Sequence, residues 1–532
     1  MGVTTSIRSL CIVAVVLTAK SGFAQYNTAE IAGVVRDAQG GVLPGVTVTA
    51  MHVASGFKAE RITDAAGRFF LAALPAGDYT LSVEWRGFKP FTQKGLLLAA
   101  GQRVDVPITL TVDSLSESIT ISAELPLLHA ANAEVSDVIG NRQVEQLPLN
   151  GRQYLQLAQL TDGIAIPPGG TRGAALEQAG SLPAVYGQRS GHNIYLLDGV
   201  KVTDEFFNNL VISPSMDAIQ EFKISKTMYP AEFGGKSSAL INVVTKSGGN
   251  TFHGSALEFL RSDRLDALNY FDDPGKPAPP LQQNQFGVNL GGPIRRDRTF
   301  FFFSYEGQRV DRSLTQTFSV PPAALRAGDF SGLTPLCDPL TRRSTNSCAA
   351  FAGNHIPANR LDPVAVALLA HVPLPTSSGS VQNLLAVGTQ VNPVDQFSLR
   401  LDHRLEGGDT LYGRFTTYAV SDLQPFGTSA LNETLVPGFG RTVTTTSRNL
   451  ALGYTRAFGS AWLNELRFGY LSASGGQVSP NQGVDVAGVA GLQGVTTDPR
   501  DMGYPQVSFG GLFSTVGDPT SFVSRDDGSY EL

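Results

Sequence analysis

From residue 251 onward one pattern recurs: segments of roughly ten residues alternate apolar and polar side chains, carry aromatics near their ends, and are joined by short polar turns. Residues 284–290 set Phe286, Val288 and Leu290 on one face. A polar turn at residues 291–298 returns the chain into residues 299–307 (TFFFFSYEG). Phe397, Leu399 and Leu401 alternate with Ser398, Arg400 and Asp402, and residues 407–409 turn the chain into residues 411–418. Leu450, Leu452 and Tyr454 answer Leu466, Phe468 and Tyr470 across a turn at Gly459-Ser460. Successive side chains of a strand point to opposite faces, so such segments have one apolar and one polar side. A series of them predicts an antiparallel barrel with lipid on its apolar side; a secreted β-sandwich is the competing fold.

The N-terminus bears on that choice. Arg8 supplies a basic start, residues 10–19 (LCIVAVVLTA) an apolar stretch, and Gly22-Phe23-Ala24 a small-x-small site before Gln25. These are the three parts of a secretory signal, with cleavage expected between Ala24 and Gln25. The stretch is too short for a spanning helix, and no later run reaches about 18 apolar residues. Cys11 lies inside the stretch, and Arg8-Ser9-Leu10 does not resemble a lipoprotein cleavage box. Two cysteines remain, Cys337 and Cys348, in a Pro- and Ser-rich loop. In an oxidising compartment they are expected to form a disulfide, and no second Cys or His pair accompanies them to make a metal site.

A chain of 532 residues is too long for one core, and about three domains are expected. The net charge of -6, with no basic stripe, argues against a nucleic-acid binder. Charged residues are 16 %, below the roughly 25 % of soluble proteins, and the 57 glycines suit a β-rich protein facing lipid.

Residues 26–112 read as a small sandwich. Val46, Val48 and Ala50 share a face, as do Tyr79, Leu81, Val83 and Trp85, with turn signals at residues 37–40, 64–67 and 75–78. GVVRDAQGGVLPGVTVTA and TDAAGRFFLAALPAGDYTLSVEWRGF resemble the carboxypeptidase-regulatory-like family. That name does not imply a peptidase. The one His-x-x-Glu, His403 to Glu406, closes an alternating strand, where an offset of three sends the two side chains to opposite faces.

The stretch from Asn193 to Phe259 reads NIYLLDGV, then SMDAIQEFKISKTMYPAEFGGKSSALINVVTKSGGNTFHGSALEF. Two strand-like segments bracket a short helix candidate at residues 216–222, and Asp198-Gly199 reads as a turn. The stretch resembles the plug-to-barrel junction of TonB-dependent outer-membrane receptors, in the Oar-like subgroup with an N-terminal carboxypeptidase-regulatory-like domain. Residues 138–160, interrupted by Pro148 and Gly151, resemble the early plug helices. Glu117, Ser118, Ile119, Thr120, Ile121, Ser122 and Ala123 resemble a TonB box, an extended peptide recognised by strand addition; the last strand or linker of the sandwich is the other reading.

The implied fold is mainly β: a signal peptide (1–24), an Ig-like or transthyretin-like β-sandwich (26–112), an α/β plug domain with its TonB box (113–250), and the first part of an outer-membrane antiparallel β-barrel (251–532). A long outer loop is expected at about residues 310–394. The resemblance implies a TonB-driven receptor in the outer membrane of a Gram-negative-type bacterium, with its N-terminal domain in the periplasm. Its partners would be lipid, TonB with its inner-membrane complex, and an imported ligand; the family takes up metal chelates, vitamins, saccharides or peptides. No cofactor is implied, and no phosphate-binding loop is present. An adhesion or structural protein on the same barrel is the alternative. Seven or eight strand candidates follow residue 251, against about 22 in plugged transporters. The end SRDDGSYEL lacks an aromatic final strand, so the sequence reads as truncated.

Overall fold

The structure, a computed structural model, describes residues 28–112, 119–122, 134–167, 182–205, 208, 210–229, 233–268, 275, 278–342, 348–406, 409–427, 434–458, 462–519 and 523–531. The signal segment, with Ala24 and Gln25, lies outside these residues, as do Glu117, Ser118 and Ala123.

Nine strands make the N-terminal sandwich: β1 (Thr28–Asp37), β2 (Thr47–His52), β3 (Lys58–Ile62), β4 (Arg68–Pro75), β5 (Gly77–Glu84), β6 (Phe91–Leu98), β7 (Arg103–Asp105), β8 (Ile108–Leu110) and β9 (Ile119–Ser122). One sheet runs β4-β1-β7 with β8 also on β1; the other runs β3-β2-β5-β6-β9. Alternation explains the core: Val48, Ala50, Tyr79, Leu81 and Val83 point between the sheets and are buried. Trp85 does not join them. It follows the end of β5, begins the turn in which Phe88 N–H bonds its carbonyl, and is 38 % exposed. The alternation cannot outlast the strand.

Seven strands follow: β10 (Val135–Gly140), β11 (Ile164–Ala165), β12 (Ala184–Val185), β13 (Ile194–Leu197), β14 (Val200–Lys201), β15 (Ile219–Thr227) and β16 (Leu240–Thr245). The plug sheet has the order β10-β15-β16-β13-β14. Every residue of β13 and β16 is buried, as in strands covered on both faces. The expected helix at 216–222 is only a 3-10 turn, Met216–Ala218; Ile219 already opens β15. Pairing with β10 and β16 satisfies the backbone there, whereas so short a helix would leave most of its terminal groups unbonded. Residues 138–160 divide as their breakers require. A helix Asn141–Gln146 ends before Pro148, Gly151 adopts φ 73°, and a 3-10 segment Tyr154–Leu160 buries Tyr154, Leu155 and Ala158.

The barrel sheet has eight strands in sequence order: β17 (His253–Ser262), β18 (Leu281–Arg295), β19 (Thr299–Phe318), β20 (Leu384–Arg404), β21 (Thr410–Gln424), β22 (Arg441–Phe458), β23 (Trp462–Val478) and β24 (Val523–Glu531). Each pairs antiparallel with the next, and among the described residues β17 and β24 do not meet, so the sheet is open. Ser304, Glu306, Ser398, Arg414, Thr416, Ser447 and Asn449 are buried against the plug. Val288, Leu290, Leu401, Phe415, Leu452 and Leu466 face outward and are exposed. Aromatics run across that outer face, with Phe303 edge-on to Phe397 at 5.5 Å and Phe397 to Phe415 at 6.5 Å.

Short turns join the strands at the end next to the sandwich, and long connections lie at the other end. The long insertion is 319–383 rather than 310–394, because β19 and β20 stay paired to Phe318↔Leu384. The sequence RVDRSLTQTF that ends β19 lacks an apolar face before Phe318, yet pairing with β20 keeps it a strand. The insertion carries a short helix, Pro363–Leu369, capped by Asp362. Phe318, Val372, Val436, Phe439, Tyr504 and Val516 form an apolar cluster that ties three of these long connections together. Cys337 and Cys348 are bonded within the insertion, with Cα atoms 5.7 Å apart.

Candidate functional site

Where the plug meets the barrel wall, charged side chains are buried in pairs. Asp198 stands at the β13–β14 turn with φ 48°, a left-handed value that aspartate tolerates better than most residues. Its turn role is therefore real, yet the side chain is 2 % exposed and points at the barrel. Thr245 donates to it twice, from its backbone N–H (2.9 Å) and its hydroxyl (2.8 Å). Arg414 of β21 reaches Asp198 Oδ2 with Nε at 2.7 Å, and Arg400 of β20 reaches Oδ1 at 3.3 Å.

The two arginines are held by further partners. Arg414 donates to the Leu197 carbonyl (2.9 Å), Asn449 Oδ1 (2.7 Å) and Thr416 Oγ1 (2.8 Å). Arg400 pairs with Asp402 at 2.9 Å and lies over the Tyr412 ring at 5.3 Å. Tyr412 in turn donates its hydroxyl to the Asp198 carbonyl at 3.2 Å. Five N–H groups in a fixed fork let one arginine bond a carboxylate, an amide and a carbonyl together, which lysine cannot imitate. Ionisable groups at membrane depth face a protein interior and are paired, because lipid offers them nothing.

Two more contacts repeat the arrangement. Plug Arg152 sits between Asp217 (2.8 Å) and barrel Glu306 (3.5 Å), while Ser215 donates to Glu306 at 2.7 Å. Plug Asp204 meets Arg525 of β24 at 3.1 Å. Near the last of these, β14 crosses β23 at Gly469. A Cβ there would stand 2.5 Å from Val200 Cγ1, so the close approach requires glycine. Gly469→Val should lower plug stability by about 1–3 kcal/mol through overpacking, seen as earlier protease access to the plug on heating in detergent.

The sandwich docks at the same end of the barrel. Asn250 N–H bonds the Ala54 carbonyl (2.9 Å), and a Cβ on Gly249 would lie 2.8 Å from that oxygen. Arg404 at the end of β20 donates to Ser55 Oγ (3.1 Å) and stacks on Phe57 at 4.6 Å. Ala100 N–H donates to Glu221 of the plug, whose carboxyl burial pushes up to about 7. Buried His52 is pushed down to about 4, chiefly by desolvation and then by Arg404. A cavity of about 340 Å³ lies between sandwich and barrel, lined by His52, Ser55, Asp198, Arg400, Arg404 and Tyr412 among others.

The other sequence-derived sites fall elsewhere. Of the box, Ile119–Ser122 forms β9, paired parallel with β6 on the sandwich. His403 bonds Thr299 Oγ1 at 2.9 Å, whereas Glu406 pairs with Arg298 at 3.2 Å. Among the described residues no group of three or more metal-ligating side chains occurs. The ion cluster around Asp198 was not anticipated. The alternation of residues 397–402 put Arg400 on the polar face, but nothing local pairs it with a residue some two hundred positions away.

Sequence comparison agrees with this architecture. The outer membrane beta barrel domain family matches residues 244–532, more than half of the chain. The chain belongs to that family. Ahead of the barrel domain, residues 30–111 match the carboxypeptidase regulatory-like domain. A curated relative of the barrel chain is the TonB-dependent transporter Oar of Myxococcus xanthus, 27 % identical over 328 residues. That match covers 59 % of this chain and 29 % of the relative, so the chain spans less than a third of Oar's length. Among solved structures, the outer membrane transporter YddB from Escherichia coli aligns with a TM-score of 0.46 at 12 % identity, covering 74 % of this chain and 44 % of YddB. The siderophore receptor PiuA from Acinetobacter baumannii aligns with a TM-score of 0.35 at 12 % identity, covering 66 % of this chain and 48 % of PiuA.

Proposed function

We propose that this chain serves TonB-driven uptake of a solute across the outer membrane. The observation that supports this best is the set of buried ion pairs between plug and barrel, Asp198 with Arg400 and Arg414, Arg152 with Glu306, and Asp204 with Arg525. Apolar contact lies beside them, since Val394, Tyr418, Val420, Leu471 and Ala473 of the wall share a core with the plug, and the pairs are the polar part of that boundary. The apolar part resists movement, whereas the polar contacts can exchange protein partners for water as the plug shifts. The proposed sequence of events is ligand capture at the long-loop end, grip of residues 117–123 by TonB, and displacement of the plug from Arg400 and Arg414.

Connection lengths support an orientation. Outer-membrane barrels carry short periplasmic turns and long outer loops, which would put the sandwich in the periplasm and the 319–383 insertion outside. The relatives are transporters and receptors, and the His403–Glu406 geometry gives no reason to add hydrolysis.

Deletion of residues 117–123 tests the reading. The purified full chain should lose capture by the periplasmic domain of the host's TonB, while its heat-dependent mobility on gels stays that of the parent. Retained capture would favour an adhesion or structural role for the same barrel.

A further inference from the structure

Within the segment that resembles a TonB box, residues 119–122 form the strand β9. Its register on the sandwich is Phe91↔Ile119, Thr92↔Thr120, Gln93↔Ile121 and Lys94↔Ser122. The chain begins to follow this side of the sandwich earlier. Lys89 N–H bonds the Thr111 carbonyl at 2.8 Å, and Phe88 bridges Val112. On its other side β6 is paired with β5, so β9 closes the one edge that β6 had left open. Closing it moves the exposed edge outward by one strand. In the sheet order β3-β2-β5-β6-β9, no described strand covers the outer side of β9.

We propose that TonB adds a strand to this outer edge of β9 while β6 keeps the inner edge, so that box and sandwich together form the docking surface; this rests on the box reading of the proposed function. Alternate residues of a strand offer their N–H and C=O groups to opposite sides, so β9 can bond β6 and a partner at once. An extended partner strand is the chemistry an open edge selects, because main-chain groups supply the affinity. Holding the box extended beforehand removes part of the ordering cost of binding. The opposite route, in which the box leaves β6 to meet TonB, would strip β6 of its partner and expose a second edge. The sandwich is in this view the platform that presents the box.

The test uses the full chain in detergent and the periplasmic domain of the host's TonB as probe. Cα partners Thr92 and Thr120 lie on neighbouring strands, about 4.8 Å apart in an ordinary sheet and within the span of a disulfide. T92C/T120C, once oxidised, should bind the probe within about threefold of its reduced form. Loss of binding on oxidation, restored by reductant, overturns the proposal and leaves the box reading standing. Unchanged binding after deletion of residues 117–123 overturns both. Hydrogen exchange on the unmodified chain gives the same decision without substitution. The β6 amides that face β9 should keep their protection when the probe binds, and their loss of protection overturns the proposal. A dimer of this chain that forms without the probe and excludes it would overturn it in favour of self-pairing.

Discussion

Arg414→Leu should release the plug far more readily than any substitution of an outward-facing residue. Arg414 is 1 % exposed and neutralises Asp198, which is equally hidden, from 2.7 Å. Removing one member of a buried pair strands the other, a loss of about 3–5 kcal/mol. Three neutral partners lose a donor as well: the Leu197 carbonyl, Asn449 and Thr416. Arg400 cannot take over fully, since it sits 3.3 Å from Asp198 and is already shared with Asp402. The expected result is a lower midpoint for plug unfolding in detergent and earlier proteolysis within residues 194–245. Arg414→Lys should recover little, because one ammonium cannot replace a fork bonded to several acceptors. Adding Asp198→Asn to Arg414→Leu should recover much of the loss, because no charge is then left unpaired by that change. If the double variant is as unstable as the single one, the cluster acts by packing and not by charge.

The parts of this molecule legible in sequence are those whose cause is local. Alternation in residues 284–290 and 397–402 fixes which face of each strand meets lipid, and the exposure of Val288 and Leu401 follows. Turn chemistry at Asp198-Gly199 fixes the link between β13 and β14. The parts that were not legible have causes elsewhere in the chain. Residues 216–222 looked helical because their neighbours β10 and β16, which make Ile219–Thr227 a strand, are distant in sequence. The far end of β19 looked like loop because pairing with β20, not burial, holds it extended. Asp198 read as a turn residue because Arg400 and Arg414 reach it only once the barrel wall curves around the plug. A signal was present in hindsight: arginines at inward positions of two adjacent strands need an acid from whatever fills the barrel.

The pH response of the sandwich contact is a second consequence of burial. Glu221 lies in β15, is 7 % exposed, and accepts from Ala100 N–H across the domain boundary. Desolvation raises its carboxyl from 4.5 to about 7, against smaller opposing effects of the Ala100 N–H and Lys223. A carboxyl raised on docking binds a proton more tightly docked than free. Its contribution is therefore fully present below about pH 4.5 and is lost as pH rises through about 7. Over that window the contact should weaken by up to about 3 kcal/mol, since each tenfold gain in proton affinity on docking corresponds to about 1.4 kcal/mol. His52, lowered from 6.5 to about 4 by desolvation and then by Arg404, gives a slope of opposite sign below about pH 6.5, so the comparison is made on a His52→Gln background. Glu221→Gln keeps an acceptor for Ala100 N–H and removes the titration. The measurement is hydrogen exchange at Ala100, corrected for the intrinsic rate, from pH 5 to pH 8. With Glu221 present, protection should fall steadily from about pH 5 and level off just above pH 7, and adding Glu221→Gln should give a flat profile. A profile as flat with Glu221 present as without it would mean that water reaches Glu221 and that the contact is not sealed. A sloping profile in both would place the titration in another group at the same boundary.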